Sequence, residues 1–519
     1  MSSKPAFKKL PKGDACTDCR RRKIRCDGVQ PICGPCRRAH NTAACQYVDI
    51  RPPDVQYLED RITVVKDRIK YLESTGREQG PVGLHASPQH QWWQLPEPPL
   101  ELRSQIIDSF LGYAAEVGLF LNSSRFRASV AHEAPEGRSR PVPSLLSACY
   151  LWGIRFSRRP DWIAHEDVYL QRAISYVSQS MQQNLSSHNV LEIIQTRFLL
   201  ASYFFASNKS VEGKYHLSVG LSLSVAAGLS DIRTSDLRRL PPTALPPPAD
   251  SVEEGERIDA CWVGKVLDIC WSMVEGITLE ARDVDTPWPL EDETYESGGY
   301  ASTVHSSQVL HHFFRGQHTS YGPTPSVKEA FCKAVILWQR ASAWSNRVIE
   351  STVGPTQANF SEFNTINNLL EGLKRTIPSP QNVPNRTPMK LRMVFVAQSL
   401  VYSGILELHR PFTSGDQHHA ALSAATSILK LVCSAQLGTR TAFVNPIMGT
   451  VWHRAASTVL DDLRARYSSR RNSGQPMVMD VSLRLTRDAL EQMQPFAKTC
   501  SAMDVQINSI VAMLATMPR

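Results

Sequence analysis

Six cysteines fall within the stretch Cys16-x2-Cys19-x6-Cys26-x6-Cys33-x2-Cys36-x8-Cys45. Thiolates are zinc ligands, structural zinc takes four of them in a tetrahedron, and a C-x-x-C pair supplies two from one tight turn. Six sulfurs cannot fill two separate four-ligand sites. They can fill both if two of them are shared, because four terminal and two bridging sulfurs make eight ligand positions. An internal near-repeat supports that arrangement. Cys16-Thr-Asp-Cys19-Arg20-Arg21 returns seventeen residues later as Cys33-Gly-Pro-Cys36-Arg37-Arg38, two similar halves that suggest pseudo-twofold packing about one metal centre. A redox C-x-x-C needs a surrounding βαβ pattern, and none is visible near Cys16. His40 is surplus to six thiolates and reads as a surface residue.

The charge follows the cysteines. Residues 1–45 carry eleven Lys or Arg against three Asp, an excess of +8, and the rest of the 519-residue chain carries 46 of each sign. Two dications among six thiolates leave that excess at about +6, so a polyanion remains the natural partner. Five of the six residues from Arg20 to Arg25 are basic, between the second and third cysteines. A short helix there, held by metal at both ends, would suit the major groove of double-stranded DNA. The opening residues lack the apolar core of an export signal, so a reducing compartment is expected and the clustered cysteines read as metal ligands. The other six, Cys149, Cys261, Cys270, Cys332, Cys433 and Cys500, read as ordinary buried residues. No uninterrupted apolar run approaches the ~20 residues of a membrane span.

Residues 16–45 resemble the fungal zinc binuclear cluster, the two-zinc, six-cysteine DNA-binding domain, through the cysteine spacing, the basic run, Asp27 and Pro31. The resemblance implies two zinc ions, with Cys16 and Cys33 bridging: one ion on Cys16, Cys19, Cys26 and Cys33, the other on Cys16, Cys33, Cys36 and Cys45. It implies Lys23 as the main base reader with Arg22 assisting, and a CGG triplet as target. Arg20, Arg21, Arg25, Arg37 and Arg38 would then mostly hold phosphates. Lys4, Lys8, Lys9 and Lys12 would extend that footprint or form a nuclear-import signal.

One triplet is too short to specify a genomic site, so a second reading head is needed. Val55, Leu58, Ile62, Val65, Ile69 and Leu72 recur at spacings of 3, 4, 3, 4 and 3. That is a heptad seam, with β-branched residues favouring two parallel strands, and a homodimer is the expected assembly. The edge charges are mixed: Arg68 can meet Glu73 of the partner helix, but Arg61 faces Lys66. The alternative is one amphipathic helix packed on the body. Residues 1–50 are expected to form the cluster domain, 51–73 the linker end and coiled coil, 74–100 a Gly- and Pro-rich flexible linker, and 101–519 a large helical body.

The body reads as all-α. Asn189 with Glu192 suggests a capping box. A helix over 211–229 would present Gly220, Ser224 and Gly228 as a smooth side. Another over 257–279 would align Ile258, Trp262, Val266, Ile269, Met273 and Ile277. The segments Leu199 to Phe205, Gly213 to His216, Ala226 to Leu229, Glu256 to Trp262 and Asp283 to Pro289 are similar to the fungal transcription-factor regulatory domain, the middle homology region. Phosphate loops, dinucleotide fingerprints, nucleophile elbows and H-E-x-x-H motifs are missing, so no enzyme is expected. The pairs His311-His312 and His418-His419 lack ligand spacing. These features imply a nuclear, sequence-specific regulator of RNA polymerase II transcription that works with the transcription machinery or co-regulators. The alternative is a zinc-stabilised co-regulator acting through protein contacts alone.

Overall fold

The computed structural model describes residues 15–47, 66, 91–131, 140–180, 187–277, 282–298, 306–317, 326–351, 357–378, 382–383, 386–436, 441–472 and 481–517. The chain divides into two compact units, Met1–His90 and Gln91–Arg519. The heptad residues Val55, Leu58, Ile62, Val65, Ile69 and Leu72 lie outside the described residues, as do Lys4, Lys8, Lys9 and Lys12.

In the first unit two five-residue helices, Thr17–Arg21 and Gly34–Arg38, each begin just after a cysteine. Both end the same way. Lys23 N–H donates to the Arg20 carbonyl and Ile24 N–H to the Cys19 carbonyl; seventeen residues on, His40 N–H donates to Arg37 and Asn41 N–H to Cys36. This is the Schellman closure, which requires a left-handed residue just past the helix. Lys23 (φ 53°) and His40 (φ 51°) supply it. The repeat is therefore one of backbone geometry as well as of sequence. A helix running through Arg25 was expected; the structure ends it at Arg21, because the left-handed turn at Lys23 directs Ile24 and Arg25 away along non-helical chain.

The second unit is all-α, with no strand among its described residues. Its apolar core is continuous from Ile106 to Met517. Helix pairs close in sequence build it: Pro143–Ser157 on Glu166–Ser180 across the short Pro160–Ile163 turn, Ser187–Ala206 on Ser210–Ala226, and Pro388–His409 on Gly415–Ala435 and, past Gln357–Thr376, on Val327–Glu350. Met448–Asn472, Val481–Ala497 and Ser501–Ala515 close the carboxyl end. Pro388–His409 alone among the described helices is long and apolar enough to cross a membrane, and its apolar window is 78% buried in protein.

Several expectations change in detail. Composition places residues 91–99 in the flexible linker, yet their tryptophans pack on the body: Trp93 stacks on His165 at 3.7 Å between ring centres, and Trp92 on Tyr169 at 6.1 Å. Two adjacent tryptophans gain more by burial than a linker composition suggests. The capping box does not start its helix, which begins at Ser187; Glu192 instead accepts from Val142 N–H at 2.7 Å, at the head of Pro143–Ser157. Gly228 (φ 75°) lies beyond its helix, which ends at Ala226, while Gly220 lies inside the close approach to Phe198. The expected 257–279 helix spans Ser251–Val274. Asp250 caps it by accepting from Val252 and Glu253 N–H, and the chain turns at Gly276, leaving Ile277 exposed.

Candidate metal centre and nucleic-acid interface

All six amino-terminal cysteines are buried together, with Ala15, Ile32 and Tyr47 packed against the cluster among the described residues. Their sulfurs form two overlapping groups of four, Cys16, Cys19, Cys26, Cys33 and Cys16, Cys33, Cys36, Cys45, each with all ligand atoms within 4.8 Å of one another. Cys16 Sγ lies 3.7 Å from Cys33 Sγ and from Cys36 Sγ, Cys19 Sγ 3.6 Å from Cys33 Sγ, and Cys45 Sγ 3.7 Å from Cys33 Sγ. A tetrahedron of sulfurs about zinc at ~2.3 Å has edges of about 3.8 Å. The donor set therefore fits two zinc ions.

Electrostatics demand cations at this point. Burial raises the Cys16 thiol, but the Cys19 N–H and the thiols of Cys19, Cys33 and Cys36 pull it down to about 6. Burial and the neighbouring sulfurs push Cys36 the other way, well above the ordinary thiol range. Sulfurs this close cannot all ionise unaided. Dications among them remove the conflict, and two N–H groups assist: Cys19 N–H points to Cys16 Sγ at 3.4 Å and Cys33 N–H to Cys45 Sγ at 3.3 Å.

Residues outside the cysteine set hold the frame. Asp27 accepts from Gly34 N–H at 3.0 and 2.9 Å, and a Cβ on Gly34 would lie 2.3 Å from Asp27 Oδ2, so any larger residue there must displace the carboxylate. Thr17 ties the ends of the module together, its N–H donating to Gln46 and its hydroxyl to Ala44 at 3.0 Å. Tyr47 donates to the Val29 carbonyl at 3.1 Å and lies 3.7 Å from Cys26 Sγ.

The basic residues form the outside of this frame. Arg20, Arg21, Arg22, Lys23, Arg25, Arg37 and Arg38 are all exposed. Asp18, whose side chain is fully buried, organises two of them: Arg21 donates to Oδ1 at 2.8 Å and Arg22 to Oδ2 at 3.3 Å. Burial raises the Asp18 carboxyl, but the two guanidiniums hold it below the usual carboxylate range. Arg20 donates to the Ala15 carbonyl at 3.0 Å. Lys23 has no side-chain partner among the described residues, and its left-handed backbone puts it at the corner where the helix stops. Asp18 was not singled out in the sequence. Its spacing, one residue before Cys19 and three and four before Arg21 and Arg22, was the available signal.

The other candidates are structural. Cys149, Cys261, Cys270, Cys332 and Cys500 are buried free thiols and Cys433 is half-buried. His418 approaches Asp462 at 3.5 Å, His419 bonds its own helix backbone, and His312 bonds Gln317.

Fold and donor set together define residues 15–47 as a cysteine-rich module that holds two zinc ions. In agreement, residues 14–53 match the family model of the fungal Zn(2)-Cys(6) binuclear cluster domain. Over 43 residues the chain is 51% identical to the chromatin structure-remodeling complex protein RSC3 of Saccharomyces cerevisiae, a match covering 8% of this chain and 5% of that protein. A longer similarity links it to the citrinin biosynthesis transcriptional activators mrl3 of Monascus ruber and ctnR of Monascus purpureus. Each is 24% identical over 493 residues, covering 81% of this chain and respectively 92% and 81% of those proteins.

Proposed function

We propose that the protein is a zinc-dependent, sequence-specific DNA-binding transcription factor acting on RNA polymerase II genes in the nucleus. The observation that carries this reading is the exposed basic edge of the zinc module, with Arg21 and Arg22 oriented by buried Asp18 and Lys23 free at the helix end. Cys16 and Cys33, which belong to both sulfur tetrads, would serve both ions. Zinc serves as a cross-link here, and its binding free energy is largely folding free energy for so small a module. Lys23 and Arg22 read guanines of a CGG triplet, a good bidentate contact giving ~1–3 kcal/mol of discrimination. Arg20, Arg21, Arg25, Arg37 and Arg38 hold phosphates and set the salt dependence.

A homodimer through Val55, Leu58, Ile62, Val65, Ile69 and Leu72 supplies the second head. The 101–519 body is a regulatory domain of the middle homology type, a reading supported by its helical build and by its length-wide similarity to two transcriptional activators. The likeness of the head to a chromatin-remodelling complex protein favours a second reading, a co-regulator without its own DNA contacts.

Binding of full-length protein to CGG-bearing and scrambled duplexes separates them. The first reading expects preference for CGG at physiological salt, with Lys23→Ala and Arg22→Ala each reducing that preference about tenfold or more. Binding to neither duplex would favour the second, and equal binding of both would overturn the sequence specificity of the first.

A further inference from the structure

Away from the zinc module, four helices of the body converge on a cavity of about 200 Å³: the end of Ser251–Val274 with Val327–Glu350, Pro388–His409 and Met448–Asn472. Met273 and Trp338 give it an apolar wall, and the rest of the lining is mostly polar. Glu407, 4% exposed, is the one acidic residue of that lining. It ion-pairs with both basic ones, with Arg410 through Oε2 at 3.0 Å and with Arg454 through Oε1 at 2.8 Å. Arg410 is committed further, to Ser345 Oγ at 3.2 Å and to Asn346 Oδ1. Arg454 is not. Its Nε alone meets Glu407, its terminal nitrogens have no partner among the described residues, and its side chain is 46% exposed. The hydroxyls of Ser342 and Thr450, in the same lining, likewise make no hydrogen bond among the described residues.

Two guanidiniums against one carboxylate leave the cavity one positive charge in excess. A guanidinium with free N–H groups is a planar fork that matches a carboxylate. A monocarboxylate balances the excess. A phosphate monoester, close to a dianion at pH 7, overshoots it beside buried Glu407, and a cation is repelled. The two hydroxyls can exchange hydrogen bonds with a hydroxyl on the ligand, while Trp338 and Met273 accept an apolar face. An engineered cavity of ~150 Å³ takes benzene, so the space here suits a body of one ring or of comparable size.

We infer that this cavity binds a small hydroxylated monocarboxylate, its carboxylate on the terminal nitrogens of Arg454 and its body against Trp338, Ser342 and Thr450. The assignment stands apart from the DNA reading of the head, since every group it uses belongs to the body.

The probes are para-hydroxybenzoate and para-hydroxybenzamide, nearly equal in shape and differing in the charge. Ligand-detected NMR titration of the full-length, zinc-loaded protein without DNA should show saturable binding of the acid, at least about tenfold tighter than the amide, the difference a charge-assisted contact supplies. Arg454→Gln should remove that preference while the far-ultraviolet circular dichroism stays that of wild type, because Arg454 is exposed and the Glu407–Arg410 pair remains. Thr450→Phe, which fills the cavity from its wall, should abolish binding of both probes, and serves if the Arg454 variant does not fold. Absence of saturable binding of the acid, equal binding of acid and amide, a preference that survives Arg454→Gln, or binding that survives Thr450→Phe would overturn the assignment.

Discussion

Asp18 shows how one buried carboxylate shapes the reading surface. It accepts from Arg21 and Arg22 at the floor of the first short helix, so their guanidiniums start from a fixed orientation. Charge-assisted pairs of this kind fix geometry more than they add stability when the arginines are exposed. Replacing Asp18 by Asn should leave two zinc ions bound, lower the preference for CGG over scrambled duplex about tenfold, and steepen the salt dependence, because a negative charge near the phosphates is lost. Fluorescence anisotropy at several salt concentrations, with zinc content measured in parallel, tests this; an unaltered preference would show that Asp18 serves only the fold. Gly34→Ala acts on the frame instead. The new Cβ displaces the Asp27 carboxylate from the Gly34 N–H, an overpacking and lost hydrogen bond of about 1–3 kcal/mol. The variant should surrender zinc to a chelator faster than wild type.

At the scale of elements, the Ser187–Ala206 and Ser210–Ala226 pair carries a titrating contact. His216 is buried beneath Phe204 and its Nδ1 faces Arg197 Nη1 at 3.2 Å. Burial first, and the Arg197 charge second, lower it from 6.5 to about 4. The folded imidazole is neutral where the unfolded one takes a proton. Its contribution is therefore intact above about pH 6.5 and is lost as pH falls toward 4, by about 2 kcal/mol between about pH 7.5 and about pH 5. Urea unfolding at those two pH values should show a smaller pH effect in His216→Gln than in wild type. In the same pair, Gly220→Ala places a Cβ 2.7 Å from the Phe198 ring, and a destabilisation of about 1–3 kcal/mol is expected in the same urea experiment. The helices were legible because their apolar periodicity is long. Their ends were less so, since Asp250, Gly276 and the Schellman turn at Lys23 act through backbone conformation that competes with periodicity. The six clustered cysteines and their two zinc ions were legible, because ligand type and spacing are covalent facts of the sequence. The acceptance of the Gly34 N–H by Asp27 was not, because folding alone brings the two together. The packing of Trp92 and Trp93 was hidden by the prolines around them.

At the scale of the molecule, one chain carries a small metal-held head and a large body with a continuous apolar core. The head has too little apolar surface to fold without its metal, whereas the body has a continuous apolar core of its own. Chelation should therefore remove duplex binding while most of the helical circular dichroism remains. The proposed dimer belongs to the same scale: Ile62→Lys with Ile69→Lys should make the protein monomeric by sedimentation and weaken binding to paired triplets, while leaving single-triplet binding nearly unchanged. The central claim is that both ions are required to shape the reading edge. Zinc-free full-length protein titrated with zinc, following bound metal by native mass spectrometry and CGG-duplex binding by anisotropy, tests it most directly. The account predicts that duplex binding rises with occupancy by two ions per chain and saturates there. Full, CGG-selective binding by chains holding one ion or none would contradict it.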